Sequence, residues 1–165
     1  MITVSIASAN DYKIIQEIAY QTWPETYGAI LSKEQLEFML DAFYSVSALN
    51  DNVVSKGHHF LLAKEDDVVL GFASYEHNYQ RNNRTRIHKI YVLPKTQGKG
   101  IGNTLISHIE KLGIENKSTA LSLNVNRFNS AYTFYQKKGF VVIEEVNIEI
   151  GHGYLMEDYV MEKQL

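Results

Sequence analysis

The sequence predicts an α+β domain: one mixed, mostly antiparallel sheet of seven strands with a central parallel pair, packed against about four helices. Three observations predict it. Early in the chain apolar residues recur at helical spacing, at Ile14, Ile15, Ile18, Ala19 and Thr22 and again at Leu36, Met39, Leu40 and Phe43, whereas from Phe60 onward they gather into short β-branched and aromatic runs. The run Ile87 to Val92 leads through a glycine-bearing turn into an apolar helix and then into a second run, Ala120 to Val125. Strand, helix, strand is a right-handed crossover, which makes those two strands parallel neighbours. The remaining runs are joined by short turns, Glu65-Asp66-Asp67 and Gly151-His152-Gly153, as antiparallel hairpins are.

In chain order, Ile2 to Ala7 alternates and reads as a strand, and Asn10 or Asp11 caps a helix to about Thr22. Trp23-Pro24-Glu25-Thr26-Tyr27-Gly28 reads as a breaker. Ser32-Lys33-Glu34-Gln35 has the form of a capping box opening a second helix, and a short helical piece spans Ser47 to Lys56 before Gly57. Phe60 to Lys64, Val68 to His77 and Ile87 to Val92 then form an antiparallel meander. A helix from about Gly100 to Asn116 presents Ile101, Leu105, Ile109 and Leu112 on one face. Another runs from Ser130 to Lys138, and two strands, Val141 to Ile150 and Tyr154 to Glu162, finish the chain.

A chain of 165 residues suits a single domain over 1–165, and 45% hydrophobic with 21% charged residues is a globular composition. No apolar run approaches the ~18 residues of a membrane span, and no basic stretch precedes an apolar one at the N-terminus. A cytoplasmic protein without membrane contact is therefore expected. The absence of cysteine excludes disulfides, thiolate metal sites and a cysteine acyl-enzyme, and no metal is expected. A net charge of −3 gives no basic field for nucleic acid. Arg81, Arg84 and Arg86 read as a solvated loop.

The turn Gln97-Gly98-Lys99-Gly100-Ile101-Gly102 follows a strand and opens a helix, which is an anion site: unpaired N–H groups and the positive end of the helix dipole meet where glycine lets a phosphate approach. A P-loop needs Lys-Ser or Lys-Thr after its last glycine, but Gly102 is followed by Asn103. A dinucleotide turn needs G-x-G-x-x-G and an acidic residue after the next strand; here the spacing is G-x-G-x-G and that strand ends in Asn124-Val125-Asn126. The pattern Q-x-x-G-x-G that remains resembles the acyl-CoA pyrophosphate loop of the GNAT superfamily of N-acetyltransferases. Asn129-Ser130-Ala131-Tyr132-Thr133-Phe134-Tyr135-Gln136-Lys137-Lys138-Gly139-Phe140 is similar to the family's N-x-A-x-x-x-Y-x-x-x-G-F segment. The order of elements also matches the GNAT fold, so the resemblance covers nearly the whole chain.

The resemblance implies acetyl-CoA as cofactor, with CoA as product. Its pantetheine arm would pair like an added strand with the main chain of Ile90, Tyr91 and Val92, and its pyrophosphate would lie on the amides of Gln97, Gly98, Lys99, Gly100, Ile101 and Gly102. Asn129 would bond the arm, and Tyr135, a phenol with an ordinary pKa near ~10, would give a proton to the departing thiolate. The attacking amine must lose a proton. Some relatives place a glutamate for this at the start of the strand before the loop, where this chain has Thr85, Arg86 and His88. Two candidates stay open: His88, which by simple alternation shares a side with Ile90 and Val92, and Glu76.

The family's acceptor groove implies Trp23, Tyr27, His152, Tyr154 and Met156 as rim residues, with Glu25, Glu76 or Asp158 drawing a cationic amine. The stretches Thr22 to Tyr27 and Gly153 to Glu162 resemble those of bacterial GNAT proteins grouped with spermidine/spermine acetyltransferases. The expected activity is direct acetyl transfer to a primary amine, a polyamine or other small amine. The alternatives are a peptide or protein N-acetyltransferase and a non-catalytic acyl-CoA-binding sensor. Relatives are often homodimers, but no segment of this sequence marks an interface.

Overall fold

The computed structural model describes residues 1–96 and 98–165; Gln97 lies outside the described residues. Seven strands form one sheet: β1 (Ile2–Ile6), β2 (His59–Glu65), β3 (Val68–His77), β4 (Arg84–Val92), β5 (Ala120–Asn126), β6 (Val141–Glu149) and β7 (Leu155–Gln164), in spatial order β1-β2-β3-β4-β5-β7-β6. Only β4 and β5 run parallel; the other neighbours are antiparallel. Among the described residues five α-helices cover the two faces: α1 (Tyr12–Tyr27), α2 (Lys33–Tyr44) and α3 (Val46–Val54) on one, α4 (Ile101–Glu115) and α5 (Ala131–Lys137) on the other. The expected mixed sheet with its parallel pair is the observed one.

Each face has its own core. Ile101, Leu105, Ile106 and Ile109 of α4 pack on Leu61, Ala73, Ile87, Leu121 and Leu123. On the opposite face Ile15, Ile18, Trp23 and Tyr27 of α1, with Met39 and Tyr44 of α2, close over Phe60, Leu62 and Phe72.

The expected break at Trp23-Pro24 does not occur, and α1 continues through Pro24 to Tyr27. An internal proline removes one helical hydrogen bond and costs about 3 kcal/mol. Trp23 and Tyr27 are only 4% and 5% exposed, and burying two such rings returns roughly 1.5–3 kcal/mol each. Trp23 also meets Tyr27, Tyr44 and Tyr91 at ring-centroid distances of 4.7, 5.5 and 5.7 Å. Packing outweighs the proline.

The N-terminus of α2 departs from the expected reciprocal box. Ser32 Oγ accepts from Gln35 N–H at 3.1 Å, but the Gln35 side chain donates to the Leu155 carbonyl at 2.9 Å, tying α2 to β7. The short helix is capped by Ser45 and spans Val46–Val54. Strand β4 begins at Arg84, three residues earlier than expected, so Arg84 and Arg86 are sheet residues with partners: Arg84 pairs with Glu162 at 2.8 Å, and Arg86 bonds Asn124 at 3.0 Å and lies over the Tyr79 ring.

Two irregularities of β4 shape the space beside it. Ser74 pairs with Lys89 and Tyr75 with Ile87, so His88 is an extra residue, a β-bulge. It shifts the alternation by one: Ile87, Ile90 and Val92 share the α4 face, while Arg86, His88, Lys89 and Tyr91 lie toward the other face. The expectation that His88 shares a side with Ile90 and Val92 is thus corrected. In addition, β4 and β5 pair only from Arg84–Ala120 to Ile87–Leu123 and then diverge, although β4 continues to Val92 and β5 to Asn126.

Candidate active site

The divergence of β4 from β5 opens a cavity of about 710 Å³. One wall is Ile87 to Val92, the other Leu123 to Val125; the turn before α4 and the segment opening α5 close one end, and the last turn of α1 reaches the other. Of the residues singled out in the sequence, Glu25, Tyr27, His88, Ile90, Tyr91, Val92, Gly98, Gly100, Ile101, Gly102, Asn129 and Tyr135 line it. Trp23, Glu76, Lys99 and Tyr154 do not. Trp23 is buried among aromatic rings, and Tyr154, with His152, packs on Phe38.

Gly100 caps α4 with φ +73°, and Gly98 has φ +92°. Both values are left-handed backbone that glycine adopts without penalty. A Cβ at either position would meet nothing within 4 Å, so the space over the first amides of α4 is open. Those amides have no partner within the helix and carry its positive dipole end. Lys99 is directed away, in an ion pair with Glu65 at 3.2 Å. An open glycine cradle continuous with an unpaired strand edge from His88 to Val92 fits an acyl-CoA: anionic groups on the amides, an amide-bearing arm along the strand.

Along that edge the side chains diverge. Ile90 and Val92 pack toward α4, and Tyr91 enters the aromatic core, where its hydroxyl lies 3.0 Å from that of Tyr27. Asn129 Oδ1 accepts from Ala131 N–H at 2.9 Å, pinning the start of α5. Tyr135, 7% exposed, sits at the cavity wall, and burial raises its pKa above the ordinary phenol value. Its proton is retained at every physiological pH.

Beside the bulge lies a polar chain that the sequence reading missed in part. His88 Nε2 is 2.9 Å from Glu76 Oε1, and Arg86 Nε donates to His88 Nδ1 at 3.4 Å. An Nδ1 that accepts leaves the proton on Nε2, which donates to the carboxylate. The two candidate proton acceptors are therefore one hydrogen-bonded pair, His88 at the cavity wall and Glu76 behind it. Burial, with His58 next, lowers the pKa of His88, while burial raises that of Glu76. His58 stacks on His88 at 3.8 Å between ring centroids. From Arg86 the chain passes to Asn124, whose Nδ2 lies 3.5 Å from Asp158 Oδ2. Burial raises the Asp158 pKa. Only the strand alternation of Ser122, Asn124 and Asn126 signalled Asn124; nothing in the linear pattern pointed to His58.

A family model described as an acetyltransferase (GNAT) domain matches residues 29–162. A spermidine N(1)-acetyltransferase of Thermoplasma acidophilum is 29% identical over 95% of this chain and 93% of its own length. An uncharacterized N-acetyltransferase of Lactobacillus delbrueckii subsp. lactis is 25% identical over 90% of this chain and 88% of its own. The crystal structure of the PaiA N-acetyltransferase of Thermoplasma acidophilum, in complex with coenzyme A, superimposes with a TM-score of 0.83 and 29% identity over 100% of this chain and 99% of that one. A GCN5-related N-acetyltransferase of Rhodopseudomonas palustris gives 0.84 at 23% identity, covering 99% and 95%, a likeness of fold. The domain match, the splayed parallel pair and the glycine cradle agree: this chain belongs to the GNAT acetyltransferase family and is an acetyl-CoA-dependent N-acetyltransferase.

Proposed function

We propose that the acceptor is a small primary amine, a polyamine in particular, acetylated directly within the cavity between β4 and β5. The observation that carries this reading is the lining of the cavity, which the glycine cradle, Tyr135 and the last turn of α1 share, with Glu25 and Tyr27 at the wall. A carboxylate and an aromatic ring suit a cationic amine. The 29% identity to a spermidine N(1)-acetyltransferase along nearly the whole chain supports the polyamine class.

Acetyl-CoA supplies an activated acyl carbon, at which a C–N bond replaces the C–S bond. The chain's residues do the rest. The amides of Gly98 and of Gly100 to Gly102 hold anionic groups, the main chain of Ile90 to Val92 orients the arm, and Asn129 borders it. Tyr135 holds its phenolic proton at the wall for the departing thiolate. Because both nitrogens of His88 are engaged, the amine gives its proton to water in the cavity, and the Glu76–His88 pair fixes the wall that this water meets.

The test is purified protein with acetyl-CoA and a panel of spermidine, spermine, free amino acids and short peptides, scoring both released thiol and the mass of the acetylated product. Spermidine or spermine is expected to turn over fastest. Turnover of peptides or amino acids with none of either polyamine would overturn the reading.

A further inference from the structure

A second cluster lies next to the cavity and takes no direct part in acetyl transfer. His58 from the turn after α3, Glu76 from β3 and His88 from the β4 bulge bring three ligand-type atoms within 4.8 Å of one another. His58 is 7% exposed, and its ring makes no hydrogen bond among the described residues: Nδ1 is buried without a partner, and Nε2 is 3.7 Å from Glu76 Oε1, beyond hydrogen-bond range. A buried imidazole normally finds a partner, because leaving it without one costs free energy. Here the ring instead lies flat against a second imidazole, 13° from parallel, with both Nε2 atoms turned toward one carboxylate oxygen. Neighbouring cations are directed elsewhere: Lys89 donates to Asn52 at 2.8 Å and Arg86 to Asn124 at 3.0 Å, although Arg86 Nε also touches His88 Nδ1.

We propose that His58, Glu76 and His88 form a binding site for one divalent transition-metal ion of the zinc class, held by two imidazoles and a carboxylate with solvent in the fourth position. Two nitrogens and one oxygen are a ligand set that zinc accepts, and the harder magnesium and calcium ions prefer oxygen alone. Bonds of about 2.0–2.2 Å require ligand atoms roughly 3.3 Å apart, so binding draws His58 in and swings the stacked rings out of register. Burial lowers the pKa of His58 to about 4 and that of His88 as well, so both rings are neutral at pH 7. Ligation through His88 Nε2 moves that ring's proton to Nδ1 and releases its 3.4 Å contact with Arg86 Nε, leaving Arg86 on Asn124. An ion there would clip the turn after α3 to β3 and β4 and, through His88, border the cavity. The site was invisible in the sequence because its residues lie 18 and 12 positions apart with no metal-binding spacing.

The experiment uses untagged full-length protein stripped with chelator, titrated with Zn²⁺ alone by calorimetry at pH 7.5. One ion per chain is expected, with a rise in Tm and, on replacing Zn²⁺ by Co²⁺, visible absorption from nitrogen and oxygen coordination. Glu76→Gln and His58→Ala should each weaken binding roughly tenfold or more, whereas His108→Ala, on α4 and outside the cluster, should leave Zn²⁺ binding unchanged. Absence of stoichiometric binding, or binding unaltered by Glu76→Gln, would overturn the proposal. If His58→Ala fails to fold by circular dichroism, the near-isosteric Glu76→Gln decides alone.

Discussion

The hydroxyl of Tyr27, in the last turn of α1, lies 3.0 Å from the hydroxyl of Tyr91 on β4, and burial raises the pKa of both. Each phenol therefore stays protonated, one donates to the other, and the bond joins the helix at one end of the cavity to the strand that forms its wall. Tyr27→Phe leaves a buried hydroxyl on Tyr91 with its nearest partner gone, at a cost of about 1–3 kcal/mol. The double variant Tyr27→Phe/Tyr91→Phe should recover part of that loss. Denaturant unfolding of the wild type, both single variants and the double variant measures the coupling; strictly additive losses would show that the two hydroxyls do not interact.

Tyr135→Phe removes only the phenolic oxygen from the cavity wall. Turnover with the best amine is expected to fall by roughly 10²-fold, the scale of a lost proton donor, while acetyl-CoA affinity by calorimetry stays near wild type. Full turnover would take Tyr135 out of the chemistry, and parallel loss of affinity would reassign it to binding.

At Gly100 an added methyl meets no atom, so a substitution acts through backbone strain and through the space above the α4 amides. Gly100→Ala is expected to cost about 1–2 kcal/mol for a left-handed alanine and to weaken acetyl-CoA binding by more than the stability loss accounts for. Gly100→Asn tolerates the same φ better, so it should recover stability without recovering affinity. Thermal melts and CoA titration of the two variants separate strain from obstruction.

Asp158 is buried, Oδ1 has no hydrogen-bond partner among the described residues, and burial raises its pKa. An acid with a raised folded-state pKa contributes stability that is fully present below the unfolded value of about 3.9 and is lost as pH rises through the folded value. Asp158→Asn removes that loss. The variant should exceed the wild type in Tm at neutral pH, and the difference should shrink as pH falls toward about 4. A Tm difference that does not depend on pH would show that Asp158 is not titrating in the folded protein.

Much of the cofactor half of this site could be read from the chain, because it is written in local sequence. A strand, a glycine turn and a helix N-terminus are contiguous, and left-handed backbone at Gly98 and Gly100 selects glycine whatever surrounds it. The segment Asn129 to Phe140 is local in the same sense, with Asn129 Oδ1 accepting from Ala131 N–H at the start of the helix that carries Tyr135. The acceptor half was less legible. Trp23 looked like a rim residue beside a helix-breaking proline, yet aromatic burial carries α1 through Pro24 and leaves Trp23 inside. Arg86 looked like part of a solvated loop, yet β4 starts early enough to place it against Asn124 and Tyr79.

The sequence by itself determined the order of elements, the parallel crossover from β4 to β5 and the glycine turn that opens α4, since each depends on periodicity or backbone freedom within a few residues. Tertiary structure decided where that pairing stops and which way β4 faces. One extra residue at His88 reverses the alternation, carries His88 away from Ile90 and Val92, and sets it against Glu76 and His58 from two other segments. A bulge is fixed by the hydrogen bonds and packing of the neighbouring strand, and those are long-range contacts that no window of the sequence contains.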